Sequence, residues 1–467
     1  MVSSTMTAGD AADQLRPLMP DDLLRAFHRL GMAVGYRNLA RAIAALAPKA
    51  TGKRQTTVEA VVEAIAPPKA VKVHTVKSED KPIPEPATPI ETDGDGMVIR
   101  VLQENILAAV NAVYRVVPAQ SSLPVCKCIA LQTDGGRVRL TATDLETAHV
   151  VWAGAQVTVE GGIAIPARAL RDGLKGFPKE ALTLTVKGKV LTIASDNRRI
   201  NLTGEDVEDY PPIPKVEGQA FEVDPTALGN AIKETYFAAQ TDDSRPTLHA
   251  VHCKLESDTM TLAAADGFQL AIHSLHAAGA PEFRECIIPI KALRVLLATL
   301  KYTEYPVAVT IGKTQINFDL HERQSITAML VQGSYPDYAQ LIPQSPDHTI
   351  NVSRKELAEA VNAAIPVARD GSGIVRLAAA HGVLHLSAKA EECGEFNADI
   401  PVEMTKWAEA QPCRVAVNSP YLDTMLAAIP DDIVELAVKS PSDPIRIRPV
   451  GRDNYTYVVM PIFVSWD

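Results

Sequence analysis

The chain has 467 residues, 46% of them hydrophobic, so it can bury a substantial core, and at about 100–200 residues per domain it should hold three or four domains. Forty-six basic residues face 56 acidic ones, a net charge of −10. That balance excludes a chain that grips nucleic acid over its whole surface, because phosphate affinity comes from clustered Lys and Arg. The six cysteines, Cys126, Cys128, Cys253, Cys286, Cys393 and Cys413, include no CxxC pair, so they read as buried reduced thiols rather than a metal site or disulfide framework. Cys126 and Cys128 sit at the two-residue period that would put both sulfurs on one face of a strand. The first ten residues carry no signal-peptide pattern and no window reaches the ~18 apolar residues of a membrane span, so a cytoplasmic chain is expected.

Residues 1–66 are Ala-rich and read as three short helices. Pro20-Asp21-Asp22 starts the first, with Leu23, Phe27 and Leu30 at helical spacing, and Asn38–Leu46 and Thr57–Ile65 follow. Arg37, Arg41, Lys49, Lys53 and Arg54 cluster around the second of these. A helix-turn-helix is disfavoured, since the loop Ala47–Thr56 is too long for its tight turn. Residues 67–96 carry Pro67, Pro68, Pro82, Pro84, Pro86 and Pro89 among charges and read as a semi-extended linker.

From Met97 onward the pattern repeats. Ile165-Pro166-Ala167-Arg168-Ala169-Leu170 returns 123 residues later as Ile288-Pro289-Ile290-Lys291-Ala292-Leu293. Tyr210-Pro211 returns 125 residues later as Tyr335-Pro336. Two unrelated segments sharing nearly one offset mark a true repeat. A fainter third copy matches Val417-Asn418-Ser419-Pro420 to the Ile-Pro segment, with Pro420 lying 131 residues after Pro289. Each copy opens on a helix: Glu104–Val117, Asp224–Ala238 and Ser353–Ile365. Asp224-Pro225 is an N-cap followed by Pro, and Ser353 with Glu356 is a capping box. Alternating strands such as Val138–Thr143 follow, then a second helix and more strands, such as Leu182–Val186 and Val190–Ala194. The prediction is an α+β chain of three repeats, 97–216, 217–346 and 347–467, with antiparallel sheets covered on one face by helices.

Four segments carry a resemblance to the bacterial sliding clamp, the DNA polymerase III beta subunit. Ser121-Ser122-Leu123-Pro124 precedes an apolar strand. Ala264-Ala265-Asp266-Gly267-Phe268-Gln269-Leu270-Ala271 resembles the family's A-T-D-G-H-R-L-A. Tyr335-Pro336-Asp337-Tyr338 with Pro343 resembles F-P-D-Y-x-x-x-x-P, and Tyr457-Val458-Val459-Met460-Pro461 matches Y-V-V-M-P. The chain departs from the pattern at Phe268-Gln269 for His-Arg, at Ala265 for Thr, in the added Phe463-Val464-Ser465-Trp466-Asp467, and in the front 96 residues. Phe268-Gln269 makes the pocket more apolar and less basic.

The resemblance implies a non-enzymatic, cofactor-free homodimer: a head-to-tail ring of six domains, with sheets outside and two helices per domain inside, around duplex DNA. It implies partners, namely the replicative DNA polymerase, the clamp loader and repair proteins, docking short peptides in a cleft between the second and third domains. By position, that cleft comprises Leu248, Gly267, Phe268, Gln269, Leu270, Pro336, Gln340, Leu341, Asn418, Tyr421, Val458, Val459, Met460, Pro461 and Ile462. The DNA-facing residues would be Arg168, Arg171 and Lys175 on one helix face, Lys291, Arg294 and Lys301 on the next, and Arg115, Lys233, Arg354, Lys355 and Arg369. The third copy's second helix carries Asp423 and no base. Matching positions put Ile200 on one side of the dimer seam and Ile365, Pro366 and Val367 on the other.

The competing reading is a DNA-binding regulator acting through residues 1–66, with the repeats as a dimerisation scaffold. Gly312-Lys313-Thr314 lacks the upstream Gly of a phosphate loop, since that position is Val307. No His, Asp, Glu or Ser set has catalytic or zinc spacing, and His252 reads as a strand residue.

Overall fold

The computed structural model describes residues 96–281, 283–321, 323–370, 372–408 and 413–466. The expected N-terminal helical module and its Pro-rich linker lie outside the described residues. Among these there are six α-helices, two per repeat: α1 (Gln103–Val113), α2 (Ala167–Lys175), α3 (Pro225–Thr235), α4 (Ile290–Leu300), α5 (Arg354–Asp370) and α6 (Ser419–Ala428). Within each repeat the two helices pack on one another. None is long and apolar enough to cross a membrane.

Every repeat builds two antiparallel sheets. In repeat 1 one sheet runs Gly162–Pro166, Cys128–Asp134, Arg137–Thr143, Thr147–Gly154. The other contains Val98–Leu102, Ala181–Lys187, Val190–Ala194 and Arg199–Thr203. Repeats 2 and 3 reproduce both orders, and Gln269–Ala278 and Gly394–Lys406 are each long enough to serve both sheets of their repeat. The inner faces bury Val, Ile and Leu at alternate positions, as in the buried-intermediate alternation of Val307–Ile311 and Gln315–Leu320, which is what a sheet with one covered face requires. Gly312-Lys313-Thr314 turns the hairpin between these two strands.

The sheets do not stop at repeat boundaries. Gln324–Met329 of repeat 2 pairs with Thr147–Gly154 of repeat 1, from Gln324 opposite Val151 to Ala328 opposite Thr147. Tyr455–Val459 of repeat 3 pairs with Gln269–Ala278 of repeat 2, from Tyr455 opposite His273 to Val459 opposite Gln269. Backbone hydrogen bonding thus runs from the first repeat to the third.

Local signals mostly act as read. The Asp224 carboxylate accepts from the Ala227 N–H at 2.8 Å, and the Ser353 hydroxyl accepts from the Glu356 N–H at 3.3 Å, satisfying helix-start donors. Three expectations change. Pro124–Lys127 is a 3-10 helix, so Cys126 precedes the strand that Cys128 opens and the two do not share a strand face. Proline at the first position of that helix favours the tight turn. Helix α5 runs past Ile365 to Asp370 with Pro366 inside it. The missing N–H deprives only the Asn362 carbonyl, on an exposed residue that water reaches. Finally, Pro166, Pro289 and Asn418 are the N-caps of the three second helices and hold the same strand register, opposite Cys128, Ala250 and Ile374. The third counterpart of the Ile-Pro start is therefore Asn418, two residues before Pro420.

Candidate functional site

The junction of repeats 2 and 3 holds an apolar cluster. Leu270, opposite Val458 across the paired strands, is 2% exposed, and with Ala263 the two form its centre. Tyr338 and Ile342, from the segment linking the repeats, pack against it. Large apolar side chains stand open nearby: Phe268 at 60%, Leu341 at 44% and Met460 at 37%.

One carboxylate shapes this edge. Asp266 Oδ1 accepts from the N–H groups of Phe268 (2.8 Å) and Gln269 (3.0 Å), closing a turn around Gly267. Gly267 has φ +99°, a conformation that a side chain would strain. The turn directs Phe268 outward. Gln269 points the other way, its amide donating to Asp266 Oδ2 at 3.0 Å and accepting from the Tyr457 hydroxyl at 2.8 Å. Gln269 itself adds no charge, and all of its amide's bonding shown is internal. Burial, with Asp266 close by and hydrogen-bonded, pushes the Tyr421 hydroxyl up to about 12. Arg245, which sequence reasoning missed, brings a guanidinium to this rim and donates to the Asp266 carbonyl at 3.4 Å. It lies outside every motif, and its loop comes near only through folding.

The other expected cleft residues divide. Leu248 is buried, with Pro336 and Gln340 exposed. Asn418 lies beside Gly373, and its Oδ1 has no hydrogen-bond partner among the described residues. The final segment follows from Val459: the Met460 N–H donates to the Phe268 carbonyl at 2.8 Å and the Ile462 N–H to the Ala416 carbonyl at 2.7 Å. Pro461 is half-buried between them. Phe463 is 82% exposed, and Trp466 lies 6.0 Å from the Arg414 guanidinium.

The basic residues are not equivalent. Arg168, Arg171 and Lys175 surround Asp172 at 3.7, 3.7 and 3.2 Å, and the Lys175 hydrogen bond foremost holds that carboxyl below its usual range. Arg171 also stacks on Tyr114 at 3.8 Å. Lys291 pairs with Asp144 of repeat 1, and Arg294 lies 5.8 Å from the Tyr236 ring. Arg354 donates to the carbonyls of Asp431 (2.7 Å) and Leu426 (3.2 Å), so its guanidinium braces the end of α6. Arg115, Lys233, Lys301, Lys355 and Arg369 are exposed. Ile200 is half-buried on the last strand of repeat 1. On α5, Ile365 and Val367 are half-buried and Pro366 is exposed. His252 stacks on Tyr335 with centroids 5.0 Å apart, and among the described residues no cluster of His, Cys, Asp and Glu could hold a metal.

Comparison with known proteins agrees with the threefold plan. Residues 97–214 match the N-terminal domain of the DNA polymerase III beta subunit, 222–337 its central domain and 339–463 its C-terminal domain. A beta sliding clamp from Synechococcus elongatus is 28% identical over 370 residues, spanning 77% of this chain and 97% of that protein. One from Staphylococcus aureus is 25% identical over 377 residues, spanning 78% and 99%. A solved sliding clamp from Pseudomonas aeruginosa, bound to griselimycin, superposes with a TM-score of 0.74 at 26% identity over 79% of this chain and 100% of that one.

Proposed function

Since the chain belongs to the DNA polymerase III beta-subunit family, the sliding clamps, we propose that it works as a replication processivity clamp, closing around duplex DNA as a head-to-tail dimer. It is a binding protein rather than an enzyme, as its family is. The domains that serve this role are 97–216, 217–346 and 347–467.

The observation that carries closure is the pair of free edges. Repeat 1 ends on Arg199–Thr203, which among the described residues pairs only with Val190–Ala194, while its counterparts Gln324–Met329 and Tyr455–Val459 each join the preceding repeat. In repeat 3, Gly394–Ala398 pairs among the described residues only with Val383–Ala390, while its counterparts Thr147–Val151 and Gln269–His273 each accept a strand. Applying the internal register to a second copy sets Ile200 opposite the partner's Phe396 and Arg199 opposite the partner's Asn397. Both Ile200 and Phe396 are half-buried against their own cores, and α5, with Ile365 to Val367, packs on the strand that holds Phe396. Charge agrees: Arg198 and Arg199 mark one edge, and Glu391, Glu392 and Glu395 the other.

Exposed bases on or just past the helices, Arg115, Arg168, Lys233, Lys301, Lys355 and Arg369 among them, would meet phosphates without reading sequence. The apolar cluster around Leu270 and Val458 would take short apolar peptides from the polymerase, clamp loader and repair proteins. A closed ring is held by its chain and its two seams, whereas ordinary phosphate binding loses about 10³ or more between 50 and 200 mM salt. Loaded onto a nicked circle, the protein should stay bound at high salt and leave when the circle is cut once. Retention after the cut, or loss from an intact circle at moderate salt, would replace the topological reading with direct DNA binding.

A further inference from the structure

Two of the six thiols meet across a strand boundary. Cys253 lies in Ala250–Glu256 and Cys286 in Phe283–Pro289, and they are direct partners in the antiparallel ladder. Opposed residues in such a ladder have Cα atoms ~4.5–5.5 Å apart with side chains on one face, within the ~4.4–6.8 Å that a disulfide spans. The Cys286 side chain, ahead of burial, pushes the Cys253 thiol up, as expected of two thiols that face each other. Cys253 is buried and Cys286 half-exposed, so one sulfur is accessible and the other waits behind it. The remaining cysteines offer no such pairing: Cys126 sits in a 3-10 helix two residues before Cys128, Cys393 lies beside Asp370, and Cys413 is opposite Ala379.

We propose that Cys253 and Cys286 form a redox-active dithiol, oxidised to a cross-strand disulfide by low-molecular-weight disulfides such as oxidised glutathione. The Cys286 thiolate attacks one sulfur of the small disulfide. That S–S bond breaks, and one small thiolate leaves and takes up a proton. Cys253 then loses its proton to water and attacks the Cys286 sulfur, expelling the second small thiolate, which is protonated in turn. Two protein thiols are oxidised and one small disulfide is reduced to two thiols, so no other oxidant is needed. The Cys286 side chain and burial both raise the Cys253 pKa, which makes the second step slower and faster with rising pH. The bond would add a covalent link between two strands of the sheet that carries Leu270.

The test uses the full chain, incubated with oxidised glutathione, quenched with an alkylating reagent in denaturant so that every remaining thiol is reached, digested and read by mass spectrometry. The expected result is loss of alkylation at Cys253 and Cys286 alone, a cross-linked peptide pair containing both, and recovery on reduction with dithiothreitol. Cys253→Ala should stop at a glutathione adduct on Cys286, and Cys286→Ala should leave Cys253 fully alkylated. Six alkylated cysteines after oxidation, a lasting glutathione adduct on Cys286 of the unsubstituted protein, or a cross-link between another pair would each overturn the proposal.

Discussion

Asp266 does more for the apolar cluster than any apolar residue in it. It fixes the turn that sends Phe268 out and Gln269 in, and it meets the Tyr421 hydroxyl from the next repeat. Phe268 is largely open, so Phe268→Ala should leave the melting temperature unchanged within a degree or so. Burying a phenyl ring in a bound peptide is worth roughly 1.5–3 kcal/mol. The same substitution should therefore weaken a peptide of the Q-L-x-L-F type tenfold or more by fluorescence anisotropy, and unchanged affinity would place the binding site elsewhere. Asp266→Ala should weaken the peptide too and also lower stability, because the turn loses its acceptor for two N–H groups. The sequence made Phe268-Gln269 conspicuous as a less basic pair. It could not show that the Gln269 amide is also engaged by Tyr457, or that Arg245 arrives from another loop, since both contacts join segments apart in sequence.

Strand order was legible in outline because Ile-Pro and Tyr-Pro signals recur at nearly one offset. The third copy was placed two residues off, because Asn418 stands where the earlier copies have proline and Pro420 drew the alignment to itself. That same shift sets Pro420 in the slot of Arg168 and Lys291, so the third second-helix begins without a base. The two junctions within the chain also differ chemically, which no repeat signal announces. Between repeats 1 and 2, buried His149 donates through Nδ1 to the Ala112 carbonyl at 3.2 Å, with Nε2 3.0 Å from the Gln324 amide. Between repeats 2 and 3, buried Glu234 accepts from His273 at 2.9 Å and from Arg452 at 3.0 and 3.1 Å.

Both junctions should weaken in acid. Burial holds His149 down to about 4, against 6.5 when unfolded. The unfolded chain therefore takes the proton first, and the stability is complete above pH 6.5, falling as pH drops to about 4. The shift corresponds to about 3 kcal/mol. Burial opposes ionisation of Glu234, but the His273 and Arg452 hydrogen bonds outweigh it and lower its pKa. Its contribution is present above 4.5 and is lost as pH falls through the lowered value. Thermal melts across pH 4 to 7 should show the decline, and His149→Gln should flatten its upper part. An unchanged slope in that variant would remove His149 from the account.

For the whole molecule, the internal register makes the seam specific enough to test by exchange of charge. Arg199 and the partner's Glu395 lie diagonally across the inferred ladder, where opposite charges are worth roughly 0.2–1 kcal/mol, and a dimer has two seams. Arg199→Glu should raise the dimer dissociation constant several-fold or more by light scattering at graded concentration, and adding Glu395→Arg should bring much of it back. Failure of the second change to restore anything would break the register. Ile200→Asp should leave a 50.2 kDa species, since a carboxylate opposite Phe396 has no partner.

In the proposed ring the two edges are unlike each other, one carrying Arg198 and Arg199 and the other Glu391, Glu392 and Glu395, so every contact they make would join a head to a tail. Such contacts have no built-in limit on copy number. Only the angle between successive repeats decides whether the second copy meets the first again or a third is recruited. A change that straightens a junction, such as loss of the Glu234 and Arg452 pairing, would leave both edges as adhesive as before. The outcome to watch for in such a variant is not a population of single chains but open filaments, growing with concentration and dissolving in salt.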